Sequence, residues 1–425
     1  MSTLLIKNAH IINPAKNQDF FGYVLCENDK ISKMGEGDIN LDADETIDAS
    51  GLVCAPGFVD MHVHLRDPGL TYKEDIITGC NAAAAGGVTS LLAMPNTKPV
   101  TDSPEVVHYI LDKAKDAKAR VYVTGAVTKN LGGFELTDIE ALHDAGAIAL
   151  SDDGRPVVDT SCLVEAMKMA DKLGMTLTCH CEDLYLAKKW SMNEGAVSAE
   201  LGLRGVPNAA EDSGTAREIA VAAAYGLPVH ICHVSTEGAC ALIRDAQRRG
   251  VKVTGETAAH YLLLTDEELR RKDADYRMNP PLRCEKDRRA IIEAVKDGTL
   301  SCIITDHAPH SVEEKSDFVG APNGSIGMET SFSGSYTALV KTGEITLNKL
   351  IELMSVNPSK ILGIEGGVLD EGKLADIVLF DENEEWTVDV NKLHGKSKNA
   401  VLKNMTLTSK VKYTVLGGKV VFEDK

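Results

Sequence analysis

The sequence predicts an α/β fold: a (β/α)8, TIM-like barrel with a small β-subdomain built from both chain termini. Three features lead to it. Between residues 58 and 306, short apolar runs alternate with longer helical stretches. Such alternation implies βαβ units, whose parallel strands are joined by right-handed crossovers. On either side of this region the rhythm reverts to strands and turns with no long helical pattern. Several of the central runs also end in histidine or aspartate, at the strand ends where barrel enzymes carry their chemistry.

In chain order, residues 1–55 supply the first part of the β-subdomain. Leu4-Leu5-Ile6 and Tyr23-Val24-Leu25 are apolar runs, punctuated by Asn13-Pro14 and Gly35-Glu36-Gly37. Leu52-Val53-Cys54-Ala55 leads into Pro56-Gly57, where the subdomain hands over to the barrel. The barrel is expected over 56–364, with strands at 58–64, 88–94, 120–125, 147–151, 175–180, 228–233, 251–256 and 300–306. That span exceeds the usual barrel of about 250 residues, and a long connection over 182–217 accounts for the excess. A doubly wound open sheet is the alternative. It would more often carry a G-x-G-x-x-G phosphate loop, which this sequence lacks. Residues 365–425 complete the subdomain, with strands expected over 373–381 and in a hairpin turning at Gly417-Gly418. Neither terminal segment can bury a comfortable core alone, so the two are expected to pack together.

The chain has 425 residues, 44% of them hydrophobic, enough for one large unit and a smaller one. A net charge of -18 argues against nucleic acid as a partner, because phosphate binding needs clustered Lys and Arg. The ten cysteines form no C-x-x-C pair, and the first residues lack the apolar core of a signal peptide. No apolar run approaches the roughly 20 residues of a membrane span. A reduced, cytoplasmic setting with free thiols is therefore expected.

The candidate chemistry begins at His62-Val63-His64-Leu65-Arg66-Asp67-Pro68-Gly69. Alternate strand residues share a face, so His62 and His64 can grip one cation. Alone, such a pair fits an ordinary buried strand equally well. Asp152-Asp153, His180, His233 and Asp306 then close later strands on what would be the same rim. Four imidazoles and two carboxylate positions converging there suit borderline cations such as Zn2+. A pair of metals about 3.5–4 Å apart needs a bridging group, and spacing leaves Asp152 and Asp153 both open for that role. Cys179, Cys181 and Cys232 flank ligand histidines, but strand alternation turns them towards helices. His230 reads as structural, and His260 lies just past strand seven, outside the ligand set.

These motifs, with Met94-Pro95-Asn96-Thr97, His180-Cys181-Glu182-Asp183, Met278-Asn279-Pro280-Pro281 and Asp306-His307-Ala308-Pro309-His310, resemble the dihydroorotase family of the cyclic amidohydrolase superfamily, in its long bacterial (type I) form. The resemblance runs over essentially the whole chain. It implies two Zn2+ per subunit, one held by His62, His64 and Asp306 and the other by His180 and His233, with Asp153 as the bridge. It implies reversible cyclisation of N-carbamoyl-L-aspartate to (S)-dihydroorotate in pyrimidine synthesis, with a metal-bridging hydroxide as nucleophile and Asp306 as general acid and base. It further implies substrate contacts from His64, Arg66, Asn96, Asn279, His310, Asn323 and Gly324. Asn323 stands where close relatives often carry Phe. A homodimer and a complex with aspartate transcarbamoylase are the partners it implies. Allantoinases, hydantoinases and dihydropyrimidinases are the neighbouring activities, and an inactive scaffold for the transcarbamoylase is the non-catalytic alternative.

Overall fold

The structure, a computed structural model, describes residues 2–188 and 192–424. Residues 189–191 of the long connection lie outside the described residues.

The amino-terminal strands are β1 (Thr3–Asn13), β2 (Gln18–Glu27), β3 (Lys30–Glu36), β4 (Glu45–Asp48) and β5 (Val53–Pro56). The eight strands that follow are β6 (Phe58–Val63), β7 (Val88–Ala93), β8 (Arg120–Ala126), β9 (Ala147–Ser151), β10 (Thr176–Cys179), β11 (Val229–Ile231), β12 (Val253–Ala258) and β13 (Cys302–Ile304). They pair in sequence order as one parallel sheet. The sheet curls until its first and last strands meet, where His64 N donates to His307 O at 2.9 Å. Every residue of β6 and β7 is buried, as expected for parallel strands covered on both faces.

The helices between the strands are amphipathic. The helix Thr160–Leu173 buries Leu163, Ala166, Met167 and Ala170 at helical spacing. Asp159 caps its start, and Gly174, at φ 69°, ends it in the left-handed conformation that glycine adopts without strain. Across the barrel, strand residues such as Val123, Leu150 and Ile231 pack against helical Leu142, Ile219 and Ile243.

The second sheet adds β14 (Ile377–Thr387), β15 (Thr406–Leu416) and β16 (Lys419–Glu423). Its order is β16-β15-β14-β5-β1-β2-β3, with β4 beside β1. The termini meet where β14 pairs antiparallel with β5. Their joint core holds Ile6, Ile11, Val24 and Cys54 from one end and Ile377, Leu379 and Val415 from the other. β1, β14 and β15 each run to 11 residues, longer than the apolar runs that announce them. The extra length in β14 is polar and alternately exposed, so hydrophobicity marks only its buried half. Among the described residues, no helix is long and apolar enough to cross a membrane.

Candidate metal centre and active site

The barrel brings the polar residues that follow its strands to one rim, all of them buried. Asp153, two residues past β9, lies in the middle. Its Oδ1 is 3.3 Å from His62 Nε2, 3.5 Å from His233 Nε2 and 3.7 Å from His180 Nδ1, and its Oδ2 is 3.5 Å from His64 Nε2. Asp306 Oδ1 approaches His64 Nε2 at 3.1 Å and His62 Nε2 at 3.7 Å. Two ligand triads result, His62-His64-Asp153 and Asp153-His180-His233, each with its donor atoms within 4.8 Å of one another. They share Asp153. Asp152 is turned away and accepts from Thr128 N at 3.0 Å and from the Thr128 hydroxyl.

Sharp turns produce this convergence. Arg66, His233 and Asp306 have φ of 61°, 33° and 47°, left-handed conformations that non-glycine residues rarely adopt. Strain of this kind costs of order 1–3 kcal/mol per residue and gathers at functional sites. The turn at His233 also corrects an expectation about the cysteines. Cys179 and Cys181 pack in the strand–helix core as alternation predicts. Cys232 instead lies within ligand distance of His62 and Glu256. β11 ends at Ile231, so alternation no longer governs residues 232 and 233. Burial pushes the Cys232 thiol up to about 12.

The cluster's electrostatics are those of a cation site. Burial opposes charge on Asp153, yet the surrounding imidazoles hold its carboxyl well below the usual range. Burial likewise opposes charge on Asp306, but the His64 hydrogen bond and the nearby imidazoles bring it to about 2. His62 Nε2 and Asp153 Oδ1, 3.3 Å apart, are both buried with no hydrogen-bond partner. Buried polar atoms are otherwise nearly always paired. Lone pairs facing one another in this way are satisfied by a metal ion, and an imidazole–carboxylate set fits zinc.

Three supporting residues had no role assigned from sequence. Glu256 lies within β12, and its Oε1 is 2.8 Å from His62 Nδ1 while accepting from His233 N at 3.4 Å. Its Oε2 meets His230 Nε2 at 3.1 Å. A carboxylate in this position fixes the tautomer of a ligand histidine. The sequence carries a signal for it, since Glu256 ends the run expected as the seventh strand, 251–256, although the strand itself continues to Ala258. Glu182 meets His180 Nε2 at 3.3 Å and accepts from Asn279 Nδ2 at 3.3 Å. Lys73 is buried and donates to His310 Nδ1 at 3.3 Å; a loop lysine carries no such signal in sequence. His230 is structural, bonded to Thr254 as well as Glu256. His260 is buried and pushed by burial to about 4, outside both triads.

The residues expected to meet substrate surround this centre. Asn96 Oδ1 accepts from His64 Nδ1 at 2.8 Å, and its Nδ2 reaches Asp153 at 3.4 Å. Arg66 donates from Nε to Pro309 O at 3.2 Å, and its Nη2 stands 3.5 Å from His310 Nε2. It does not pair with its neighbour Asp67, which is bound by Tyr109 and Lys113. Asn323 O meets His310 Nε2 at 2.7 Å, and Gly324 packs on Ala308 with φ 133°. A side chain at Gly324 would collide with Ala308, so this close approach needs glycine.

The Amidohydrolase family model matches residues 53–421. Proteins named dihydroorotase from Geobacter metallireducens and Acetivibrio thermocellus are 47% and 46% identical, each aligned over 99% of both chains. The chain belongs to the amidohydrolase family, among its dihydroorotases. Solved structures of other amidohydrolases share the architecture. The L-hydantoinase (dihydropyrimidinase) of Arthrobacter aurescens superposes with TM-score 0.89 at 25% identity, over 100% of this chain and 96% of that one. The dihydropyrimidinase of Brevibacillus agri gives 0.85 at 26%, over 100% and 95%.

Proposed function

We propose that this amidohydrolase closes N-carbamoyl-L-aspartate to (S)-dihydroorotate and water, reversibly, with two Zn2+ per subunit. The supporting observation is Arg66. It is a buried guanidinium beside the candidate metal centre, and among the described residues no carboxylate pairs with it. A buried charge without a partner is costly, and a substrate carboxylate would complete the site through a charge-assisted fork. Hydantoin and dihydrouracil have no such group.

His62, His64 and Asp306 would hold one metal and His180 and His233 the other, with Asp153 between them. The metals would lower the pKa of water and polarise the amide carbonyl. The chain's own residues do the rest. Asp306, an ionised carboxylate against His64, accepts the proton of the attacking water and delivers it to the departing ring nitrogen. In ring closure the same proton travels back. Arg66, with Asn96 and His310, holds the substrate's unreactive carboxylate, and Asn279 faces the ring amide. Asn323 and Gly324 close the carboxylate end through the backbone. A cytoplasmic homodimer, free or bound to aspartate transcarbamoylase, is part of the same proposal.

The deciding experiment compares turnover of dihydroorotate, hydantoin, dihydrouracil and allantoin by purified protein of measured metal content. Preference for dihydroorotate is expected. Hydrolysis of only a neutral ring would replace this reading with a hydantoinase- or allantoinase-like one. Well under one metal per chain, with no activity after added zinc, would point to an inactive scaffold.

A further inference from the structure

We propose that Glu314 and Lys315 are positioning residues that clamp the loop 311–324 across the barrel mouth, holding His310, Asn323 and Gly324 in place beside Arg66. The inference rests on the carboxylate-binding reading of Arg66 and adds what orders the other half of that pocket.

The two neighbours reach in opposite directions. Glu314 turns towards the loop after β6. It accepts from Tyr72 Oη and Lys73 Nζ, both at 2.9 Å, and from Ser311 N at 3.1 Å. Lys315 turns towards the connection after β12. Its Nζ donates to Ala274 O at 2.9 Å, Arg277 O at 3.2 Å and Pro322 O at 2.9 Å. All three ammonium hydrogens are thus spent on backbone carbonyls. One carbonyl is Pro322, just before Asn323, and the other two precede Asn279. The contact is reciprocal, since Arg277 Nη1 donates to Phe318 O at 2.5 Å and to Val319 O, and Gly324 N donates to Arg277 O at 2.9 Å.

These pins set the geometry of the pocket. Lys73 can only donate, so His310 Nδ1 is an acceptor and the ring proton sits on Nε2, aimed at Asn323 O. The ring is thereby fixed at both nitrogens. Asn399 pins the two ends of the segment, accepting from His310 N and donating to Gly324 O, both at 3.1 Å, but little apolar contact orders the span between them. Phe318 is partly buried and Ala321 fully, but Val312 and Val319 are 71% and 54% exposed. A segment with so few apolar contacts opens easily unless polar contacts hold it. Lys315 is also sensitive to pH. Burial and Arg277 push it down to about 7, against Asp275, Asp273 and Glu314, which raise it. Lys403 pairs with Asp273 and Asp275, and Lys73 with Glu314. Above that pH, Lys315 loses one of its three donors.

The test uses Lys315→Met and Glu314→Gln in the full, zinc-loaded chain. KM for dihydroorotate should rise about 10-fold in each, the size of one lost charge-assisted hydrogen bond. kcat should change little, the mark of lost ground-state binding. Without substrate, backbone hydrogen exchange should accelerate in 311–324 and 274–279 while the barrel strands stay as in wild type. Wild-type KM should climb as pH rises through about 7, and Lys315→Met should lack that inflection. Unchanged KM and unchanged loop exchange would overturn the clamp, as would exchange accelerated throughout the barrel, which would mean a general structural role. Absence of wild-type turnover on dihydroorotate would sink the parent reading alone, because the exchange comparison still judges the clamp.

Discussion

Arg66, His233 and Asp306 are each forced into left-handed backbone and each point into the site. Asp306 is the residue that touches both the ligand imidazoles and the reacting atoms in the proposed chemistry. Asp306→Asn keeps its shape but removes the proton acceptor and weakens a ligand, so kcat should fall by about 10²- to 10⁴-fold, the usual worth of a general base. Near-normal kcat in steady-state assays would remove the role. Arg66→Ala should lower kcat/KM for dihydroorotate by roughly 10- to 100-fold, the worth of one or more hydrogen bonds between charged groups. Any slow turnover of hydantoin should be spared, so equal losses on both rings would count against carboxylate recognition. Residue types at this scale were legible in the sequence, and orientations were not. Spacing could not tell Asp152 from Asp153, because the choice depends on Thr128, 24 positions upstream, capturing one of them. Cys232 was misread for a related reason: alternation assumes a strand, and the chain leaves strand geometry at Ile231.

At the scale of elements, barrel strands such as β6 and β7 were readable because burial on both faces makes them compact apolar runs. The ligands were readable because each closes such a run. Connections obey no such rule. The stretch after β12 folds as a short α-helix, Ala259–Leu263, and then as 3-10 turns, Asp266–Arg271 and Ala274–Tyr276, before it reaches Asn279. Its shape depends on partners in another loop, Lys315 and Gly324, that no local pattern identifies. The same holds for Glu182, which joins β10's ligand to Asn279 nearly 100 positions on. Strand ends thus supply the reactive groups from a rigid frame, and long-range polar contacts between loops set how substrate is held. The polar outer half of β14 was missed for the opposite reason, since one of its faces meets water and interrupts the apolar signal.

For the whole molecule, the split subdomain raises the question of how two sheets act as one folded body. Asp376 is a principal tie. Its carboxylate takes both Arg120 Nε at 2.9 Å and Arg120 Nη2 at 3.1 Å from the start of β8, and Gly417 N at 2.8 Å from the β15–β16 turn. Its own carbonyl receives Gly57 N at 3.0 Å, where β5 hands over to β6. Thr414 Oγ1 adds a bond to Ala84 O at 2.6 Å, at the end of the first barrel helix. The Asp376 side chain is only 6% exposed, whereas Arg120 is 33% exposed and keeps some hydration. Losing the carboxylate therefore strands little buried charge, and the cost is mainly that of the broken charge-assisted bonds. Asp376→Ala should destabilise the protein by about 1–3 kcal/mol, measured as a lower urea midpoint with unchanged slope. Metal content and kcat at moderate temperature should match wild type, because Asp376 lies on the face opposite the site. A change within about 0.5 kcal/mol, the range of ordinary surface substitutions, would show that the sheets are held by apolar packing alone. If unfolding divides into two transitions and only the first moves, the subdomain unfolds before the barrel; a single shifted transition means that the tie joins them into one cooperative unit.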